Sequence, residues 1–123
     1  MKTAQSYLED ANAVVASITP AEGIAMHGSD DVVFVDVRDS GDIASSGTIA
    51  GALQIPRGLI EFKADPATAL HEPALDPAKQ IILVCGAGGM AALSGKTLTE
   101  MGFERVVNVG AFGSWVEAGG PTE

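Results

Sequence analysis

The apolar positions of this chain fall into two kinds of segment. Short, nearly continuous aliphatic runs occur at Val32-Val33-Phe34-Val35-Asp36-Val37, Leu53-Gln54-Ile55, Gln80-Ile81-Ile82-Leu83-Val84 and Arg105-Val106-Val107-Asn108-Val109. Runs of this length and β-branched content predict strands, and the lack of a polar face predicts burial on both sides. Between them lie segments of helical character. Residues 4–16 are alanine-rich. Thr19-Pro20-Ala21-Glu22 supplies a capping hydroxyl, a proline at the first helical position and a glutamate at the third, so a short helix runs to about His27, with Gly28 ending it. Further helices are predicted over Gly41–Ser46, over a turn or two at Arg57–Lys63, from about Met90 to Met101 with Gly102 as the cap, and around Trp115 before Gly119-Gly120-Pro121. Residues 64–79 hold Pro66, Pro73 and Pro77 and read as loop.

Strands that alternate with helices indicate an α/β layer built on a parallel sheet. In such sheets ligands gather beyond the carboxyl ends of the strands. Three segments reach that edge: Asp36-Val37-Arg38, Pro56-Arg57-Gly58, and the loop after residue 84. The length suits one domain with a core of its own. The expected division is a helical extension at 1–16 and a single domain at 17–121.

Charge narrows the partners. Sixteen acids against seven Lys and Arg give a net charge of −9. That disfavours nucleic acid, whose phosphates are met by clustered cations, and it disfavours anionic membrane surfaces. No apolar stretch approaches the roughly 20 residues that span a bilayer. Glu9 and Asp10 interrupt the N-terminus where a secretory signal would be apolar, so the expected location is cytoplasmic.

The candidate chemistry centres on Cys85, the single cysteine, which excludes an intrachain disulfide and a multi-cysteine zinc site. His27 and His71 lack metal-ligand spacing, and no metal or other cofactor is expected. Cys85 ends an apolar run and is followed by Gly86-Ala87-Gly88-Gly89 and then the predicted helix. Peptide N–H groups in such a turn, with the positive end of a helix dipole behind them, favour negative charge at the sulfur and make a nucleophile. The alternative is an inert cysteine closing a core strand. With no second thiol to resolve it, any covalent adduct must discharge to another molecule.

Over residues 17–121 the chain resembles the rhodanese-like sulfurtransferase family. The resemblance rests on Val33-Phe34-Val35-Asp36-Val37-Arg38-Asp39, Gly47-Thr48-Ile49-Ala50-Gly51-Ala52-Leu53-Gln54-Ile55-Pro56, Ile82-Leu83-Val84-Cys85-Gly86-Ala87-Gly88-Gly89, Leu98–Phe103 and Gly110-Ala111-Phe112-Gly113-Ser114-Trp115, in that order and spacing. It implies a three-layer domain with a central parallel sheet of about five strands. It implies that Cys85 accepts sulfane sulfur as a persulfide and passes it to a thiophilic acceptor, with the amides of Gly86, Ala87, Gly88, Gly89, Met90 and Ala91 around the outer sulfur. The partners would be a persulfide or thiosulfate-like donor and a thiol or protein acceptor.

The chain also departs from the family. Met90 and Ala91 stand where thiosulfate-using members carry arginine and serine, Thr48 replaces a common histidine, and Ala111 replaces a glycine. Related phosphatases need an arginine six positions after the cysteine, and that position is Ala91, so phosphatase activity is not expected. Thiosulfate is a doubtful donor, because removing one partner of a desolvated charge pair costs about 2–5 kcal/mol. Arg57 is the candidate replacement cation at the mouth; its alternative is a solvated or structural role. Arg38 and Asp36 are expected to pair with neighbouring loops, with anion contact as the other reading. His71 is either a surface residue or an overhang of the pocket. Phe62 and Trp115 are expected in the core, with Phe62 also a candidate for lining the pocket. Two functions follow: a sulfurtransferase or persulfide carrier, or a catalytically weak or inactive rhodanese-homology module that binds a protein partner.

Overall fold

Strands without a polar face are stable only where both sides of the sheet are covered. The runs at 32–36 and 80–85 occupy that position. The computed structural model describes residues 1–123 and has five strands: β1 (Ala16–Ser17), β2 (Val32–Asp36), β3 (Leu53–Gln54), β4 (Gln80–Cys85) and β5 (Val106–Ala111). Six helices alternate with them: α1 (Ala4–Val14), α2 (Pro20–Met26), α3 (Ser40–Ser46), α4 (Ile60–Ala64), α5 (Gly89–Glu100) and α6 (Phe112–Glu117). A single 3-10 turn at Arg57–Leu59 leads into α4. All pairings are parallel and the strand order is β1-β5-β4-β2-β3. No helix is long and apolar enough to cross a membrane.

The period-2 alternation of β4 divides the core. Ile81, Leu83 and Cys85 face a cluster that includes Val35, Ile60, Ala91, Leu98 and Phe103. Ile82 and Val84 face the opposite cluster with Phe34, Ile49, Val109, Phe112 and Trp115. The first layer is closed by α4 and α5, the second by α2 and α6. Helix α1 packs along α5, with Ala11 and Val15 buried.

Local signals account for most boundaries. Thr19 and Glu22 form a reciprocal capping box at α2, with the threonine hydroxyl accepting from the Glu22 amide and the carboxylate accepting from the Thr19 amide. Gly102 has φ +97°, and the amides of Gly102 and Phe103 donate to the carbonyls of Thr99 and Leu98, the two bonds that close a helix through a left-handed residue.

Three details differ from the sequence expectation. Ala16–Ser17 forms an edge strand, too short and too exposed to give a periodic signal. β5 continues to Ala111 beyond the expected end at Val109, because the register slips: Leu83 pairs with Asn108 but Val84 pairs with Gly110. The resulting bulge absorbs a residue and lets the strand run on. Phe62, expected in the core, is 50% exposed, whereas Trp115 is fully buried. The helix carrying Phe62 is five residues long and buries Ile60 and Ala64, which leaves Phe62 on the outer side.

Candidate active site

β4 and β2 carry their last residues to the same edge of the sheet, and the site is assembled there. Cys85 is the last residue of β4 and pairs with Ala111. The chain then turns through Gly86 and Ala87 into Gly88, which has φ +94° and serves as the N-cap of α5. An L side chain is strained in that conformation, so glycine is what the turn requires. The turn directs two main-chain donors at one atom: the Gly88 N–H lies 3.0 Å and the Ala91 N–H 3.3 Å from Cys85 Sγ. One donor is the N-cap and the other is in the first turn of a twelve-residue helix whose positive end faces the sulfur.

Of the expected cradle residues Gly86 to Ala91, Gly88 and Ala91 are the two whose amides bond the thiol. Cys85 is 1% exposed. Gly86 and Ala87 are exposed, Gly88, Gly89 and Met90 partly so, and Ala91 is buried. The sulfur thus sits directly beneath a cover of small residues. Met90 packs against the core cluster that contains Cys85.

A buried charged network lies at the end of β2. The Arg38 guanidinium donates from Nε (3.1 and 3.2 Å) and Nη2 (2.8 Å) to the Asp36 carboxylate. Its remaining donors reach Ser46 Oγ (2.9 Å) and the Gly47 carbonyl (2.8 Å), and its face lies 4.6 Å from the centre of the Phe112 ring. Thr48 donates its hydroxyl to Asp36 at 2.8 Å, so the residue in place of the family's histidine completes this network. The Arg38 pKa is raised, chiefly by the hydrogen-bonded Asp36 carboxylate, against the opposing effect of burial. Arg38 and Asp36 pair with each other and with the neighbouring loop. Four of the five guanidinium N–H donors are taken up by this network.

Arg57, the candidate cation, contacts α4 and α5. Its guanidinium is 3.4 Å from Glu61 Oε1 and 3.3 Å from Thr97 Oγ1, two turns along α5 from the loop. His71 binds the Lys63 carbonyl at 3.0 Å and lines a cavity with Pro66, Pro73, Met101 and Phe103, at the far end of α5 from Cys85. His71 does not overhang the thiol.

One residue of the site escaped sequence reasoning. Asn108, in β5, is 6% exposed and donates from Nδ2 to the Gly88 carbonyl at 2.9 Å, while its Oδ1 accepts from the Gly110 N–H at 2.8 Å. The available signal was a carboxamide inside an otherwise aliphatic strand, since buried polar groups are rarely left without partners. Asn108, Gly88 and Gly89 also line a groove of about 330 Å³ between the loop and α1, opposite Leu8, Asn12 and Ser17.

A parallel sheet that delivers one thiol to main-chain donors at a helix N-terminus defines an α/β domain with a strand-end cysteine cradle. Residues 19–118 match the family of the Rhodanese-like domain, and the chain belongs to that family. Among solved structures, it is similar to a Rhodopseudomonas palustris protein of unknown function described as a possible tyrosine phosphatase, at 36% identity, with a TM-score of 0.93 over 100% of this chain and 96% of that one. It is similar to a polysulfide-sulfur transferase homodimer from Wolinella succinogenes at 26% identity, with a TM-score of 0.75 over 97% and 85% of the two chains. A rhodanese-related protein from Thermoplasma volcanium shares the fold, with a TM-score of 0.71 and 24% identity over 88% of this chain and 97% of that chain. No curated protein matches the chain.

Proposed function

We propose that the protein carries sulfur, with Cys85 as the nucleophile. The observation that supports this reading is the pair of main-chain N–H groups converging on Cys85 Sγ. Such donors stabilise a sulfur anion without any side chain, and charge-assisted bonds of this kind are worth about 1.5–3 kcal/mol each. The thiolate attacks the outer sulfur of a persulfide donor. The donor's S–S bond breaks, its thiolate leaves, and Cys85 holds the sulfane sulfur as a persulfide. An acceptor thiolate then attacks the outer sulfur and releases Cys85. Neither step needs an external oxidant or reductant. Because Cys85 lies beneath the loop, exchange requires the small-residue cover at Gly86–Gly89 to yield to the incoming sulfur.

Donor choice follows from what the loop lacks. With Met90 and Ala91 in place of arginine and serine, and the Arg57 guanidinium engaged by Glu61 and Thr97, a dianion such as thiosulfate has no free cation beside the sulfur. An organic or protein persulfide carries less charge and needs none, so it is the donor class favoured here. Phosphate monoesters meet the same deficit, which weighs against the phosphatase description of the Rhodopseudomonas relative as a guide to this chain.

A second reading, a rhodanese-homology module that binds a protein without turnover, is favoured by the burial of Cys85. Incubation with a small-thiol persulfide, followed by intact-mass measurement, separates the two. Sulfur carriage requires the gain of one sulfur atom on the wild type and none on Cys85→Ser. No gain on the wild type, or an equal gain on the variant, refutes carriage and leaves the binding module.

A further inference from the structure

The cradle has a structural problem that its own residues do not solve. Gly88 caps α5 without a side chain, and no side-chain cap bond forms there. Its geometry nevertheless determines both donors to the sulfur. The Gly88 N–H is one of them. The Gly88 carbonyl accepts the first helical bond of α5, from the Ala92 N–H at 3.0 Å, and so orients the turn that holds the second donor, Ala91.

What fixes that carbonyl comes from the adjoining strand. Asn108 Nδ2 donates to it at 2.9 Å. The orientation of the carboxamide is determined by its other end: the Gly110 N–H can only donate, so Oδ1 must face it and Nδ2 must face Gly88. The Asn108 main chain is held as well, its carbonyl accepting from the Ile18 N–H at 2.9 Å. The bulge that separates Asn108 from Gly110 in register, with Gly110 at φ +90°, brings the Gly110 amide back onto the side chain. Asn108 thus ties the edge of the sheet and the bulge to the cap of α5.

We propose that Asn108 is the positioning residue of the sulfur cradle: through the Gly88 carbonyl it holds the Gly88 and Ala91 N–H groups on Cys85 Sγ. Its purpose rests on the sulfur-carrier reading above, but its geometry and its test do not. Only a carboxamide supplies both a donor to Gly88 and an acceptor for Gly110. Aspartate keeps the shape and the acceptor but sets an oxygen against the Gly88 carbonyl. Serine is too short to reach both. The buried Arg38–Asp36 pair at the end of β2 makes no hydrogen bond to any of these atoms.

Alkylation of Cys85 by iodoacetamide, followed by intact mass at pH about 7 and about 10, tests this, because only the thiolate reacts. A looser loop changes access and so multiplies both rates equally. Lost stabilisation of the thiolate lowers only the neutral rate. Asn108→Asp and Asn108→Ser are expected to lower the ratio of the neutral to the alkaline rate about fivefold or more, the scale of one weakened charge-assisted bond. Leu98→Ala, a core truncation on α5 away from the loop, is expected to leave the ratio unchanged. If Asn108→Asp does not fold, Asn108→Ser decides. A wild-type ratio in the folded Asn108 variants, or an equal fall in Leu98→Ala, overturns the proposal. If the ratio falls as expected while the wild type takes up no sulfur, Asn108 keeps its role and the sulfur-carrier reading fails.

Discussion

Gly95 sits in the middle of α5, where glycine is otherwise a poor choice: replacing it with alanine normally gains about 1 kcal/mol of helix propensity. Here the new methyl would lie 2.8 and 2.9 Å from the two γ-carbons of Val15 and 3.3 Å from Leu83 Cδ1. Carbon pairs are at rest at about 3.5–4.0 Å, so the neighbours must retreat by roughly 0.5–1 Å. Val15 cannot do this by rotation, since both its methyls are in the way and β-branched side chains are stiff at χ1. It caps α1 and precedes β1, so the retreat must move α1. Overpacking of this kind costs about 1–3 kcal/mol. Set against the propensity gain, Gly95→Ala is expected to lose about 1 kcal/mol, within a range of about 0–2. For a chain of this size that is a fall in Tm of roughly 5 °C. Val15→Ala opens the space, so the double variant is expected to be more stable than the two single losses predict, by about 1 kcal/mol or more. Thermal and urea melts of the four proteins give the cycle. A higher Tm for Gly95→Ala alone, or simple additivity, would refute the close docking of α1 on α5.

Two further predictions concern the site and its support. Met90→Arg is expected to raise sulfur transfer from thiosulfate to cyanide by about tenfold or more, a conservative fraction of the 2–5 kcal/mol that a desolvated charge pair involves; turnover equal to the parent's shows that the methionine is not what limits this donor. Asp36→Ala removes the partner of a buried guanidinium and a buried hydroxyl, and is expected to cost about 3–5 kcal/mol in a urea melt; a loss under about 1 kcal/mol means the network is not what holds the end of β2.

Much of this architecture could be read from residue patterns because the decisive signals were local. The aliphatic runs at 32–36 and 80–85 gave the central strands, and Thr19-Pro20-Ala21-Glu22 gave α2 to its capping box. The position of Cys85 between an apolar strand and a glycine-rich turn pointed to the carboxyl edge of the sheet, and the sulfur lies there. What could not be read depends on contacts between distant segments. A two-residue strand such as Ala16–Ser17 exists only because β5 offers it an edge. The slip that puts Gly110 opposite Val84 is a property of the pair, and the role of Asn108 depends on that slip. Arg57 was a candidate because it follows a strand end; its contacts with Glu61 and Thr97 depend on the packing of α4 and α5, which the sequence does not show. Phe62 looked like core because it is aromatic, but its helix is too short to bury every apolar residue it carries.

On the sulfur-carrier reading proposed above, residues 90 and 91 separate two properties of the loop, the holding of a sulfur anion and the binding of a charged donor. Main-chain N–H groups do not depend on side-chain identity, so the donors to Cys85 Sγ persist although the loop carries neither arginine nor serine. Binding of a doubly charged donor has no such insurance, because it relies on a cation that this loop does not supply. A substitution at residue 90 should therefore alter which molecule delivers sulfur while leaving the nucleophile intact. A substitution at Asn108 should do the reverse, weakening the nucleophile toward every donor alike. Comparing the two variants against thiosulfate and an organic persulfide gives a crossed pattern if the two properties are separable: Met90→Arg changes the preference between donors, and Asn108→Ser lowers both rates by the same factor. Parallel behaviour of the two variants would mean that donor selection and thiol activation are a single property of the loop, and the division argued here would fall.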